Sequence, residues 1–208
     1  MQVTEQICQA LMKGRAPEVV QLVQKALDEG VAPATVLNQG LLQGMGIIGE
    51  KFKKNEVYVP EVLIAARAMK AGMEVLKPKL VAAGVQPLAT VVIGTVKGDL
   101  HDIGKNLVGM MLEGAGFRVV DGGIDVPPEK FVALAKENGA KVIGVSALLT
   151  TTMTNMKMVV NAVKEAGLSA KVMVGGAPVT QAFCSEIGAD GYAADAASAA
   201  DLARKLVA

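Results

Sequence analysis

The sequence predicts an α/β protein in two parts: a four-helix bundle, then an open five-stranded parallel sheet with helices on both faces. Three observations lead there. Apolar residues keep helical spacing up to about residue 88, and beyond it strand-length apolar runs alternate with helical ones. Gly116, Gly139, Gly167 and Gly188 each follow a predicted helix, where carboxyl-terminal caps stand. The second part is about 120 residues long and repeats strand then helix five times, which implies parallel strands joined by crossovers.

In the first part, Val3 to Lys13 is a helix ended by Gly14, and Pro17 to Glu29 is a second one stopped by Gly30. Pro33 opens a third, carrying Val36, Leu37, Leu41, Ile47, Ile48 and Phe52, and Asn55-Glu56 breaks it. Pro60 opens a fourth with Val62, Leu63, Ala66, Met69, Met73 and Leu76, and Pro78 comes near its end. Short connections suggest an antiparallel bundle. Gly84-Val85-Gln86-Pro87 reads as the linker, so the expected domains are 1–88 and 89–208. Strands are expected near 89–95, 117–121, 141–146, 170–174 and 190–193, with helices near 102–115, 127–138, 152–166, 178–187 and 196–207. A domain of this length suits the flavodoxin-like strand order 2-1-3-4-5.

Composition narrows the function classes. With 21 basic and 20 acidic residues the net charge is +1, which gives no electrostatic reason to propose nucleic acid or anionic lipid as a partner. Aromatics are 3% of the 208 residues and tryptophan is absent, so stacked-base platforms are not available. No apolar run approaches the length of a membrane span, and the first residues show no signal pattern, so a cytoplasmic protein is expected. Cys8 and Cys184 read as buried thiols rather than as a disulfide or metal cluster.

The one histidine stands in Asp99-Leu100-His101-Asp102-Ile103-Gly104, between the first predicted strand and its helix. Open α/β sheets bind ligands at that edge. The carboxylate two residues earlier can hold one ring nitrogen while the other faces outward, the layout of a metal-ligating histidine. Two further loops share the edge: Ser146-Ala147-Leu148-Leu149-Thr150-Thr151-Thr152 and Gly175-Gly176-Ala177-Pro178. In the predicted order, strands one, three and four are neighbours, so these loops surround one slot. Paired glycines there allow close approach to the backbone. Gly44-Met45-Gly46-Ile47-Ile48-Gly49 fits a dinucleotide pattern, but no strand precedes it, so helix packing or cofactor access explains those glycines better. Lys51-Phe52-Lys53-Lys54 reads as a solvated helix end, and Asp125 and Glu129 as a turn and a helix start.

Asp99-x-His101-x-x-Gly104, then 41 residues, Ser146-x-Leu148, then 26 residues, Gly175-Gly176, resembles the cobalamin-binding signature. That signature is shared by methionine synthase, base-off mutases and the corrinoid proteins of anaerobic methyltransferase systems. Gly49-Glu50-Lys51-Phe52 and Tyr58-Val59-Pro60-Glu61-Val62 resemble the helical cap of methionine synthase, and the two-part plan is similar to the stand-alone corrinoid proteins. The resemblance implies that His101 replaces the cofactor's dimethylbenzimidazole as lower ligand to cobalt, that Asp99 accepts from its other nitrogen, and that Thr152 completes the relay. It further implies cobalamin contacts from Asp102, Ile103, Gly104, Ser146, Leu148, Thr150, Gly175 and Gly176, with Phe52 and Val59 covering the methyl-bearing face of methylcobalamin.

The function so implied is carriage of a methyl group between a substrate-specific methyltransferase and a second one acting on tetrahydrofolate or a thiol, with a reductive activation protein as a further partner. Three other classes compete. An adenosylcobalamin isomerase needs a substrate barrel that is absent here. A corrinoid-sensing regulator needs a basic DNA-reading element. A receiver or flavodoxin-like module would stay colourless with cobalamin.

Overall fold

The computed structural model describes residues 2–208, which divide into two compact units. One runs to Pro87 and includes Gly114–Gly116; the other comprises Leu88–Glu113 and Phe117–Ala208.

The first unit is helical: α1 (Val3–Met12), α2 (Ala16–Asp28), α3 (Pro33–Thr35), a π-helical stretch Val36–Leu42, α4 (Gln43–Lys53) and α5 (Val59–Ala82). Ile7, Leu11, Val19, Val23, Leu41, Met45, Val62 and Leu76 form its core. The segment expected as one third helix is thus continuous but has a widened turn. Its buried residues Val36 and Leu41 are five apart, the spacing that an i→i+5 turn stacks on one side. Glycine lets α5 press against its neighbours, since a methyl group on Gly72 would meet Val19 Cγ1 at 2.9 Å. A Cβ on Gly44 would stand 3.2 Å from the Cys8 carbonyl, so helix packing accounts for that member of the glycine motif. The chain stays helical past Pro78 to Ala82.

The second unit holds β1 (Thr90–Thr95), α6 (Ile103–Gly114), β2 (Arg118–Asp121), α7 (Pro128–Asn138), β3 (Val142–Ser146), α8 (Thr150–Met153), α9 (Asn155–Glu165), β4 (Lys171–Gly175), α10 (Gln181–Ile187), β5 (Gly191–Tyr192) and α11 (Ala196–Val207). The strands are all parallel in the order 2-1-3-4-5. This is the predicted α/β fold. Val92, Val145, Val172 and Val174 pack with Phe131 of α7, Met156 and Val160 of α9 and Ile187 of α10 on one face. Helix α6 covers the other face near β1, where Gly109 faces Ile93. Gly139 (φ 59) and Gly188 (φ 69) cap α7 and α10 in the left-handed conformation, as the glycine pattern predicts.

The predicted helix over 152–166 is two pieces, α8 and α9, broken at Thr154. Helix α10 starts at residue 181 rather than 178, because Thr180 is its N-cap and its hydroxyl accepts from the Phe183 amide at 3.2 Å. Both cysteines are buried and free, and burial raises both thiol pKa values. Among the described residues, no helix is long and apolar enough to cross a membrane.

Candidate functional site

Register brings the predicted loops to one edge. Ile93 pairs with Gly144, Thr95 with Ser146, and Ser146 with Gly175, so β1, β3 and β4 end level with one another. Asp99 follows β1 and is buried completely, although a carboxylate is costly to take from water without partners. Its partners are all present. Oδ1 accepts from the His101 amide at 3.1 Å and faces His101 Nδ1 at 2.8 Å. Oδ2 accepts from the Thr152 hydroxyl at 2.7 Å and from the Leu148 and Leu149 amides at 2.8 and 3.3 Å. Burial pushes the Asp99 carboxyl pKa up, but the bonds from Thr152, Leu148 and His101 outweigh it and hold the group well below the usual carboxylate range.

An ionised carboxylate only accepts. Asp99 therefore fixes the proton of a neutral His101 on Nδ1 and leaves Nε2 with a free lone pair. The side chain of His101 is 51% exposed. The ring is consequently held from one side and available on the other. Thr95 is buried beneath the loop, and its hydroxyl donates to the His101 carbonyl at 2.8 Å.

The other predicted residues sort by position. Asp102 and Ile103 are exposed beside His101, and Asp102 accepts from Asn106 at 3.1 Å. Gly104 lies in the first turn of α6, and a Cβ there would meet nothing within 4 Å. Ser146 ends β3, Leu148 reaches Asp99 through its amide, and Thr150 is exposed at the start of α8. Gly175 ends β4 and Gly176 follows it, and the chain gives reasons of its own for both. A Cβ on Gly175 would stand 3.0 Å from the Ala193 carbonyl, and one on Gly176 (φ 133) would overlap the Ala147 carbonyl. Phe52, near the end of α4, and Val59, the first residue of α5, are half-buried in the helical unit.

Sequence reasoning missed three supports of this loop. Thr95 looked like one more strand residue. Lys105, one residue past Gly104, is buried and bonds Asp121 at the end of β2 and Asn106 Oδ1 at 2.7 Å. Asp125 does more than make a turn, because its carboxylate accepts from the Gly98 amide at 2.7 Å.

The edge also suits a flat apolar ligand. Leu100, Ile124, Leu148 and Leu149, on loops at strand carboxyl ends, and Ile103, which opens α6, are 42–78% exposed. Glycine in a helical turn costs up to about 1 kcal/mol relative to alanine. No neighbour within the chain requires Gly104 to lack a side chain. One imidazole is a single ligand, and a metal held by it must bring its other ligands along. These residues fit a corrinoid. A concavity of about 230 Å³, lined by Val160, Leu168, Lys171 and Asp190, lies at the amino-terminal end of β4, away from His101.

Comparison with known proteins points to the same class. Residues 89–201 match the B12 binding domain family, and residues 3–77 match a second B12 binding domain family. The chain belongs to the B12-binding corrinoid proteins. It is 42% identical over 212 residues to a corrinoid protein of Desulfitobacterium hafniense, covering 100% of this chain and 98% of that one. It is 43% identical over 204 residues to dimethylamine corrinoid protein 3 of Methanosarcina acetivorans, covering 97% and 95%. Among solved structures, it is similar to a chain of the methanol:cobalamin methyltransferase complex MtaBC from Methanosarcina barkeri. The TM-score is 0.89 at 32% identity, covering 99% of this chain and 79% of that chain.

Proposed function

We propose that this protein is a methyl carrier that binds cobalamin with His101 as the lower ligand to cobalt. When bound, the corrinoid supplies a metal centre able to take up and give up a methyl group. The observation that carries the reading is the 2.8 Å contact between buried Asp99 and His101 Nδ1, which leaves Nε2 of the half-exposed side chain as the ligating atom. Asp99 and Thr152 hold the ring in one tautomer and one direction. Leu100, Ile103 and Leu148 offer exposed apolar surface at the same sheet edge, and Ser146, Gly175 and Gly176 are the proposed border of the slot for the cofactor's tail. Phe52 and Val59 of the helical unit are proposed as further cofactor contacts. The proposed partners are a substrate-specific methyltransferase and a second methyltransferase acting on tetrahydrofolate or a thiol, with a reductive activation protein between turnovers. Similarity to a chain of a methanol:cobalamin methyltransferase complex supports a methyltransferase as partner class.

The test is reconstitution with cobalamin. His101→Ala is expected to keep part of its corrinoid while its visible spectrum and reduction potential shift. Spectra identical to the parent's would overturn axial ligation.

Gly104→Ala separates site from scaffold. A methyl group there touches nothing in the chain. Stability without cofactor is expected to stay equal or rise by up to about 1 kcal/mol. Cobalamin affinity is expected to fall roughly tenfold as the methyl intrudes on the ligand's space. Unchanged affinity by equilibrium titration would show that the corrinoid does not approach this turn.

A further inference from the structure

We propose that Asp125 is a positioning residue for His101, acting through the backbone on both sides of Asp99. The inference rests on the axial-ligand reading above. Asp125 has φ 51, and Asn55 is the only other non-glycine with positive φ among the described residues. Glycine, asparagine and aspartate are the residues that adopt this left-handed conformation most readily. Glycine stands nearby at 122 and 123, yet position 125 keeps an aspartate. What the aspartate retains is its carboxylate.

That carboxylate accepts from the Gly98 amide at 2.7 Å, and the Asp125 amide donates to the Asp99 carbonyl at 3.1 Å. The two bonds bracket the Asp99 backbone from one residue. Next to them, the Val126 amide donates to the Thr95 carbonyl at 2.9 Å, and Val96 bridges to Val126. The loop after β2 is therefore stapled along the strand end from which Asp99 projects. Asp99 can aim the imidazole only while its own Cα is fixed, and Asp125 fixes it.

The experiment uses the full chain reconstituted with cob(II)alamin and labelled with ¹⁵N-histidine. Paramagnetic resonance reads the ratio of imidazole-bound to imidazole-free cobalt from the nitrogen splitting, with His101→Ala as control. Asp125→Ala is expected to lower that ratio about tenfold, the size of losing one hydrogen bond to a charged group. Asp125→Asn keeps an acceptor oxygen and tolerates the left-handed backbone, so it should stay within about twofold of the parent. Asp125→Gly keeps the backbone conformation and lacks the carboxylate, so it should behave like the alanine variant and carries the test if alanine prevents folding. A parent-like ratio in Asp125→Gly, or an asparagine variant as impaired as glycine, would overturn the proposal. A parent without histidine splitting would instead remove the ligand assignment, and this proposal with it. A splitting lost in His101→Ala but kept in Asp125→Gly would remove the positioning role alone.

Discussion

Replacing Asp99 by asparagine is expected to destabilise the sheet unit by about 3 kcal/mol, the cost of leaving buried donors unpaired, and to end histidine ligation where the new amide turns its NH₂ toward His101. The reason lies in the count of donors. On one oxygen converge the His101 amide and Nδ1; on the other, the Leu148 and Leu149 amides and the Thr152 hydroxyl. Both oxygens of a carboxylate accept. An amide has one accepting oxygen, so its NH₂ must face one of these two sets of N–H groups. Turned toward Leu148, it leaves two backbone donors unpaired. Turned toward His101, it forces Nδ1 to accept and moves the neutral ring's proton to Nε2, the atom proposed to bind cobalt. The variant's thermal or urea stability and its cobalamin spectrum test the two halves separately. A variant as stable as the parent would show that the loop does not depend on the carboxylate.

The same group sets an acid limit. Its folded pKa lies below the usual value, so the native state binds its proton less readily than the unfolded chain, whose aspartates titrate near about 3.9. The stabilisation is therefore fully present above that pH and fades as pH falls below it. In urea series from neutral pH to about pH 3, the gap between the parent and Asp99→Asn should narrow only in the acid range. A gap independent of pH would contradict this sign.

What could be read from the sequence was local or periodic. The aspartate two residues before the histidine announces their contact, because such a spacing on a loop lets one side chain reach the other. The switch from helical to strand-length runs places that loop at a sheet edge. Thr152 was legible only through resemblance, since nothing in a run of four residues with three threonines says which one turns inward. Asp125 and the Lys105–Asp121 pair were not legible. Their roles depend on β2 lying beside β1 in a register that pairs Ile93 with Asp121, and an aspartate after a strand is ordinarily a turn residue. The π-helical stretch escaped because a five-residue apolar interval is hidden within a longer helical pattern.

Gly176 shows how far scaffold and site share residues. Gly176→Ala is expected to cost about 3 kcal/mol or more, combining a backbone conformation strained for any residue with a Cβ and overpacking against a neighbour that cannot yield. The neighbour is the Ala147 carbonyl, and the Ala147 amide donates to the Gly175 carbonyl at 3.3 Å, so the two strand ends are tied together. Relief requires the chain at Ala147 to move. The next two residues supply the amides that hold Asp99 Oδ2. A methyl group at the end of β4 therefore loosens the carboxylate that aims the imidazole, through backbone alone. The variant should lose stability and histidine ligation together, whereas Gly104→Ala should lose affinity while keeping stability. Measured side by side, a Gly176→Ala protein of parental stability would show that the two loops part without strain, and that the glycine serves the ligand rather than the fold.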